Sequence, residues 1–342
     1  LEASDKTSEV RLRLFNDILH GRIQPGERLP TEREMAETSG VSRVTIRRAY
    51  ALLESSGIVE RKQGSGTFVS TQVRGNPEKG DQVALLTTMQ DVFVLQFINS
   101  LEQELSKRGA LLVLRLTNED AAQEERLAIE LVARGIINLV VWPSGAGYAQ
   151  QTFARLRVLG TNMVFFDRLH PGPFADFVGL DNRHAVEQLL AHAHEHGARQ
   201  FLFLSHSELN ADSDREREEF FAAYCTARGW PHRIERVPWR GDSYSLVAEH
   251  IEAWAPRQFK TAILCVNDDL ALEVCKARQS NSLVYGIDGL PEALRAGVVT
   301  YRQPMAKMAR QVIKFLFDQQ LRAHDWQARR AHFKGDLLDP RA

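Results

Sequence analysis

Thr31-Glu32-Arg33-Glu34-Met35-Ala36-Glu37-Thr38-Ser39-Gly40-Val41-Ser42-Arg43-Val44-Thr45-Ile46-Arg47-Arg48-Ala49-Tyr50 decides how the front of this chain folds. Thr31 and Glu34 stand at capping-box spacing: the hydroxyl accepts from a helix-terminal N–H while the carboxylate bonds back. A helix therefore starts at Thr31 and stops at Gly40. Ser42 caps a second helix running to about Ser56, with Ile46, Tyr50 and Leu53 at helical spacing and Gly57 as a left-handed stop. Upstream, about Ser8 to His20 carries a Val10, Leu14, Ile18 stripe and ends at Gly21. Downstream, Ile58 to Lys62 and Thr67 to Ser70 are short strands joined by Gln63-Gly64-Ser65-Gly66.

Ser42, Arg43, Thr45, Arg47 and Arg48 crowd the start of the last of these helices. Arginine bonds guanine O6 and N7 bidentately, whereas Ser, Thr and backbone N–H groups anchor phosphates, so this helix suits a major groove. The hairpin can approach a backbone or minor groove because Gly64 and Gly66 lack side chains. Three helices and a hairpin in this order describe a winged helix-turn-helix. Arg43 to Lys62 carries a local excess of three positive charges, although the whole chain has 43 basic and 44 acidic residues and a net charge of −1. Contact with nucleic acid must therefore come from this patch, not from the global balance.

The 342 residues correspond to two or three domains of about 150 residues. A composition of 44% hydrophobic and 25% charged residues excludes disordered and collagenous classes. Cys225, Cys265 and Cys275 form no C-x-x-C pair and sit in apolar stretches, which argues for a reducing compartment. No apolar run reaches the roughly 18 residues of a membrane span, and Leu1 to Lys6 lacks a signal-like apolar region. A cytoplasmic protein without membrane contact is expected.

Thr71 to Asp81 is polar and Gly/Pro-punctuated, which marks a linker. The expected division is 1–70 as DNA-binding domain, 71–81 as linker and 82–342 as a second, larger region, for which the family resemblance described below implies effector binding and dimerisation. Beyond the linker, apolar strands at Val83–Thr87, Leu111–Leu116, Ile137–Trp142, Met163–Phe166, Phe201–Ser205, Ala262–Val266 and Val284–Ile287 are separated mostly by helix-length amphipathic stretches. Examples are Asp120–Arg134, Asn182–His196, Asp214–Arg228 and Asp268–Arg278. That alternation argues for parallel sheets covered on both faces, with length enough for two α/β lobes and ligand residues at the strands' carboxyl ends.

Ile18-x-x-Gly21-x-Ile23-x-Pro25-Gly26-x-x-Leu29-Pro30-Thr31-Glu32-Arg33, Val41-Ser42-Arg43-x-Thr45-Ile46-Arg47-x-Ala49, Leu53-Glu54-x-x-Gly57 and Gly64-x-Gly66-Thr67-Phe68-Val69 together resemble the GntR family of bacterial transcription regulators. The resemblance implies that Arg33, Arg43, Thr45 and Arg47 read bases or phosphates, that Ser42 binds phosphate, and that Gln63 to Gly66 form the wing tip. The chain departs from the family by lacking Tyr-x-Gln near the first helix and by having Ala49-Tyr50 in place of Ala-Leu.

Residues 81 to 342 resemble the effector domain of the LacI/GalR family, related to periplasmic sugar-binding proteins. The resemblance is carried by Val178-Gly-Leu-Asp181-Asn182, Arg217 to Phe221, Thr261 to Ala271, Gly286-Ile-Asp288 and Val299 to Met305. A sugar needs carboxylates and amides that accept from hydroxyls, a planar Arg donor and an aromatic plate. Asp288, Asn267, Asp268 and Arg168 follow predicted strands. The resemblance points to Asp288 and Arg217, then Asp268, with Asp91, Phe93 and Trp239 at the cleft mouth. Helix capping by Asp268 and a core or interface place for Trp239 stay open as alternatives.

His192, His194 and His196 with Glu195 form no H-E-x-x-H, and no nucleophile triad is visible, so no metal, cofactor or catalysis is expected. The resemblance implies a regulator, a repressor sooner than an activator, that binds a palindromic operator as a homodimer. A sugar or derivative closing the lobes would change the spacing or freedom of the DNA-binding units through the linker. The alternatives are a sugar-active enzyme and a binding protein with a DNA-binding appendage.

Overall fold

The computed structural model describes residues 2–71, 82–88, 92–144, 149–168, 171–207, 211–238, 247–249, 251, 254, 259–277, 282–321 and 326–341. Asp91, Trp239 and nearly all of the expected linker lie outside them.

In the amino-terminal unit the caps act where the sequence puts them. α1 (Glu2–Leu19) begins before the expected Ser8, because nothing in residues 2–7 breaks a helix; it buries Val10, Leu14, Phe15 and Ile18. α2 (Glu32–Ser39) opens on a complete capping box, with Glu34 N–H donating to Thr31 Oγ1 at 3.2 Å and Thr31 N–H to the Glu34 carboxylate at 2.7 Å. α3 (Arg43–Ser55) opens on Ser42, whose hydroxyl accepts from Thr45 N–H at 3.1 Å. Each such cap stabilises its helix by about 1 kcal/mol. β1 (Val59–Lys62) and β2 (Gly66–Val69) form the antiparallel wing. Tyr50 is buried, and its hydroxyl donates to the Pro30 carbonyl at 2.6 Å, tying α3 to the segment that leads into α2.

Two six-stranded sheets follow. The first holds β3 (Gln82–Thr87), β4 (Leu111–Leu116), β5 (Asn138–Val141), β6 (Asn162–Phe166), β7 (Asp176–Leu180) and β13 (Arg330–Phe333), in the order β13-β7-β6-β5-β3-β4, all parallel. Side chains alternate across it. Val83, Leu85, Val140, Val164 and Phe166 join one apolar cluster with α4 (Val92–Ser106) and α11 (Met305–Leu321). Ala84, Leu86, Leu139, Val141, Met163 and Phe165 join another, with α5 (Ala121–Ala133) and α6 (Gln150–Val158).

The second sheet holds β8 (Gln200–His206), β9 (His232–Val237), β10 (Thr261–Cys265), β11 (Ser282–Asp288), β12 (Val299–Arg302) and β14 (Asp336–Leu338), in the order β14-β12-β11-β10-β8-β9. Only β14 is antiparallel to its neighbour. α7 (Asn182–Glu195), α8 (Asp212–Ala227), α9 (Asp268–Ala277) and α10 (Pro291–Arg295) belong to this lobe. Every residue of β5, β6, β7 and β10 is buried, as strands sandwiched between helices require.

Among the described residues the chain crosses between the sheets three times: at 181, at 303–304 and at 334–335. The crossings lie side by side, with Asp181 N–H donating to the Phe333 carbonyl at 2.9 Å and Gly335 N–H to the Tyr301 hydroxyl at 2.9 Å. A Cβ on Gly335 would stand 2.0 Å from the Arg302 carbonyl oxygen, so only glycine fits there. Three adjacent strands make a hinge, and the cleft lies at its mouth.

Candidate functional site

The exposed end of α3 forms the first candidate site. Ser42, Arg43, Val44, Arg47 and Arg48 are all exposed, and the Ser42 and Thr45 hydroxyls are 2.8 Å apart. Arg33 pairs with Glu37 at 2.9 Å, and Arg47 with Glu32 at 3.0 Å. Arg43 and Arg48 have no ion pair among the described residues. The wing tip at Gln63 and Gly64 is exposed, Lys62 lies over the Phe68 ring at 5.0 Å, and Gly66 (φ 116°) lies against the Arg28 guanidinium. Sequence reasoning missed Arg28, which reaches the wing through the pairing of residues 26–29 with β2, and Val44, 55% exposed beside the arginines. An apolar side chain there suits a thymine methyl.

The second candidate site is the interlobe cleft. Strand ends build it: Trp142 follows β5, Asp167 and Arg168 follow β6, His206 ends β8, Asn267 follows β10 and Asp288 ends β11. Phe93, Asp214, Arg217, Asp269 and Gln303 complete most of the wall. The enclosed volume is 70 Å³, below the roughly 300–1,000 Å³ of ordinary ligand pockets. The lobes are therefore drawn together, and one contact spans them directly: Asp212 N–H donates to the Arg168 carbonyl at 2.8 Å.

Of the residues expected at the cleft, Phe93, Arg168, Arg217, Asn267 and Asp288 line it together. Arg168 pairs with Glu119 at 2.6 Å. Arg217 is buried, donating to Asn182 Oδ1 at 2.9 Å and to the Val266 carbonyl at 2.7 Å. Asn267 Oδ1 accepts from Leu270 N–H at 2.9 Å and so caps α9, the role weighed for its neighbour.

Asp268 corrects the expectation. It is fully buried off the cleft wall, where its carboxylate accepts from Leu290 N–H at 2.7 Å and from the Thr300 hydroxyl at 2.7 and 2.9 Å. The partners on β12 and before α10 turn it into the lobe, and Asp269 faces the cleft instead. Asp91 and Trp239 lie outside the described residues.

Electrostatics single out two carboxylates. Burial, then the neighbouring Asp268, pushes Asp288 well above the usual carboxyl range, with Arg217 opposing. Burial likewise raises Asp167, with Arg217 and Arg168 opposing. Asp167 has φ 63° and Asp288 φ 143°, backbone conformations that cost non-glycine residues of order 1–3 kcal/mol and cluster at functional sites. Four buried polar atoms on the wall have no hydrogen-bond partner among the described residues: Asp167 Oδ1, Gln303 Oε1, Trp142 Nε1 and His206 Nδ1. Trp142 meets Phe93 edge-on at 5.6 Å, so an aromatic wall stands beside these polar atoms. The strand-end rule that selected Arg168 and Asp288 also covers Trp142 and Asp167.

The histidines separate. His194 stacks on Trp230 at 4.4 Å, while His192 and His196 stack at 3.9 Å. His192 Nε2 is 3.2 Å from Asp339 Oδ2, and these three residues could hold an ion. Asp339 already accepts from the Arg341 guanidinium at 2.9 Å, which holds its carboxyl down at about 2 against the opposing effect of burial. No described helix is long and apolar enough to cross a membrane.

Residues 6–69 match the model of the gntR family of bacterial regulatory proteins, and residues 190–334 that of the periplasmic binding protein-like domain. An arabinose metabolism transcriptional repressor of Geobacillus stearothermophilus is 23% identical over 338 residues, covering 91% of this chain and 90% of that protein. A probable fructoselysine utilization operon transcriptional repressor of Escherichia coli is 48% identical over 63 residues, covering 18% of this chain and 26% of that protein. The trehalose repressor from Escherichia coli superposes with a TM-score of 0.65 at 17% identity, covering 76% of this chain and 100% of that one, a likeness of fold. The chain thus joins a GntR helix-turn-helix domain to a periplasmic-binding-protein-like domain.

Proposed function

We propose that this protein is a transcriptional repressor, not an enzyme, and that its operator affinity is set by a neutral sugar held between the lobes. The cleft carries the reading. Among the described residues its wall presents two unmatched acceptors, Asp167 Oδ1 and Gln303 Oε1, one unmatched donor, Trp142 Nε1, and the unmatched ring nitrogen His206 Nδ1, which donates or accepts according to its tautomer. Each costs free energy while unpaired, and hydroxyls, which donate and accept, match both kinds. With burial holding Asp167 and Asp288 toward their neutral forms, Asp214 and Asp269 balance Arg168 and Arg217, so the wall offers no positive excess to an anionic ligand. Phe93 and Trp142 offer the apolar face of a sugar ring a surface.

In this reading Arg33, Arg43, Thr45, Arg47 and Arg48 meet bases or phosphates, Ser42 meets phosphate, and Gln63, Gly64 and Gly66 bring the wing to the backbone. The relative named for arabinose metabolism makes L-arabinose the first sugar to try. A homodimer on a two-fold operator is supported by exposed Val92 and Leu95, one turn apart on α4, which a second copy would cover. A cytoplasmic location follows from binding chromosomal DNA.

The test titrates fluorescent DNA from upstream of the protein's own gene, with and without L-arabinose and a panel of neutral and phosphorylated sugars. Operator binding weakened by a neutral sugar supports the proposal. Turnover of the sugar, or a response restricted to phosphorylated sugars, overturns it.

A further inference from the structure

α1 has two buried faces. One packs on α3; the other continues into the first lobe, because a single apolar cluster runs from Val10, Leu14 and Ile46 through Leu127, Ala128 and Leu131 of α5 to Leu139 and Phe165 of the sheet. A unit joined only by a flexible segment would keep its own core and show a polar surface to its neighbour. Here polar groups are buried where the two meet. Arg11 is 8% exposed on α1, close enough to Glu130 and Arg134 of α5 to interact electrostatically with both.

At the end of α3, Ser56 is buried, and its hydroxyl donates to the Leu52 carbonyl at 2.8 Å and the Ala133 carbonyl at 3.4 Å. Opposite it is Gly135 (φ 87°), where a Cβ would stand 3.1–3.3 Å from Ser56 atoms. The contact uses the carboxyl-terminal end of α3, so Arg43, Arg47 and Arg48 at the other end stay exposed.

We infer that the DNA-binding unit is docked on the outer helices of the first lobe, through α1 and Ser56 against α5 and Gly135, and moves with that lobe as one body. The regulatory consequence, though not the docking, rests on the repressor reading. Rotation about the three-strand hinge then carries the α3 arginines directly, and the segment at 71–81 need only connect. This differs from the sequence-based expectation that the linker transmits the change.

The test uses the full chain with a Gly/Ser insert that doubles the 71–81 segment, measured by small-angle scattering. Docked units keep the parent's radius of gyration. Ser56→Arg and, from the other side, Gly135→Asn, which tolerates a left-handed backbone, wedge the contact open. In the lengthened chain each raises the radius by a few Å, as a flexible tether with a reach of about 5–6 Å × √n allows. Retained binding of the upstream DNA by Ser56→Arg shows that its unit is folded. Expansion of the lengthened chain without a wedge overturns the inference, as do two wedged chains as compact as the parent. A lengthened chain that stays compact but never binds the upstream DNA supports docking and removes the repressor reading instead.

Discussion

Gln303, on the second crossing in sequence, donates its side-chain amide to Asp288 Oδ1 at 3.0 Å, so one of the three crossings is bonded to the carboxyl group at the end of β11. Asp288 is buried and has a left-handed φ of 143°. A ligand that bonds this carboxyl group therefore acts on the hinge itself. Asp288→Ala is expected to raise the effector's Kd by about two- to tenfold, one hydrogen bond to an uncharged group being worth about 0.5–1.5 kcal/mol. Operator affinity without effector should stay within about twofold of the parent, since that contact lies in the other domain. Titrations of both ligands check this, and an unchanged effector Kd would remove Asp288 from the site.

Arg43 and Arg48 have no ion pair among the described residues, whereas Arg33 and Arg47 are held by Glu37 and Glu32. Arg43→Ala and Arg48→Ala should each weaken operator binding by about 1–3 kcal/mol if the guanidinium reads a base, and should lower the salt slope by about 1 if it meets a phosphate. Anisotropy titrations at several salt concentrations separate the two. Loss of neither affinity nor salt slope would place DNA elsewhere.

Replacing Tyr50 by Phe removes the hydroxyl that ties α3 to the Pro30 carbonyl and leaves that carbonyl short of a partner. Thermal unfolding should show a loss of about 1–2 kcal/mol, with the orientation of the recognition helix loosened. An unchanged midpoint would mean that water replaces the bond.

Glu124 is fully buried, and burial lifts its carboxyl to about 8, partly opposed by the hydrogen bond from Ser144 N–H at 3.0 Å. The folded state thus keeps a proton that the unfolded chain has released, so stability falls as pH rises from about 4.5 to 8 and is lowest above that window. At about 1.4 kcal/mol per unit the loss reaches at most roughly 5 kcal/mol. Glu124→Gln should flatten this slope in urea unfolding followed between pH 5 and 9. A parallel pair of curves would refute the assignment.

Asp176 is completely buried, taking hydrogen bonds from Arg329 at 2.8 Å and Gln319 at 2.9 Å. Asp176→Ala leaves Arg329 without its buried partner and should cost about 3–5 kcal/mol. Calorimetry should show the loss. A change below about 1 kcal/mol would mean that Asp318, 2.9 Å from Arg329, suffices.

Local signals carried far into the fold. Thr31 with Glu34, Ser42, Gly40 and Gly57 act within a few residues, so the helix ends they set were readable, and so were the apolar strands β5, β6 and β10. β9, with the sequence His-Arg-Ile-Glu-Arg-Val, was not readable, because an edge strand open to solvent carries no continuous apolar run. β7 starts at Asp176, whose burial depends on Arg329, 153 residues away. The same distance effect hid the cleft's detail. Asp268 and Asp269 are neighbours after one strand, and Thr300 and Leu290 decide which one turns inward. Which polar atoms lack partners depends on the closed packing of both lobes, and no spacing encodes it.

β13 lies beside β7, although Arg330 to Phe333 come about 150 residues after it in the sequence. During synthesis, the sheet begun at Gln82 must wait for every described strand of the second sheet except β14 to be translated before its own edge can be filled. α11 arrives just as late, so until then one face of that sheet lacks this helix. A premature stop after Pro304 would therefore damage the older half of the clamshell more than the younger, and a nascent chain would need protection from aggregation at that bare apolar face.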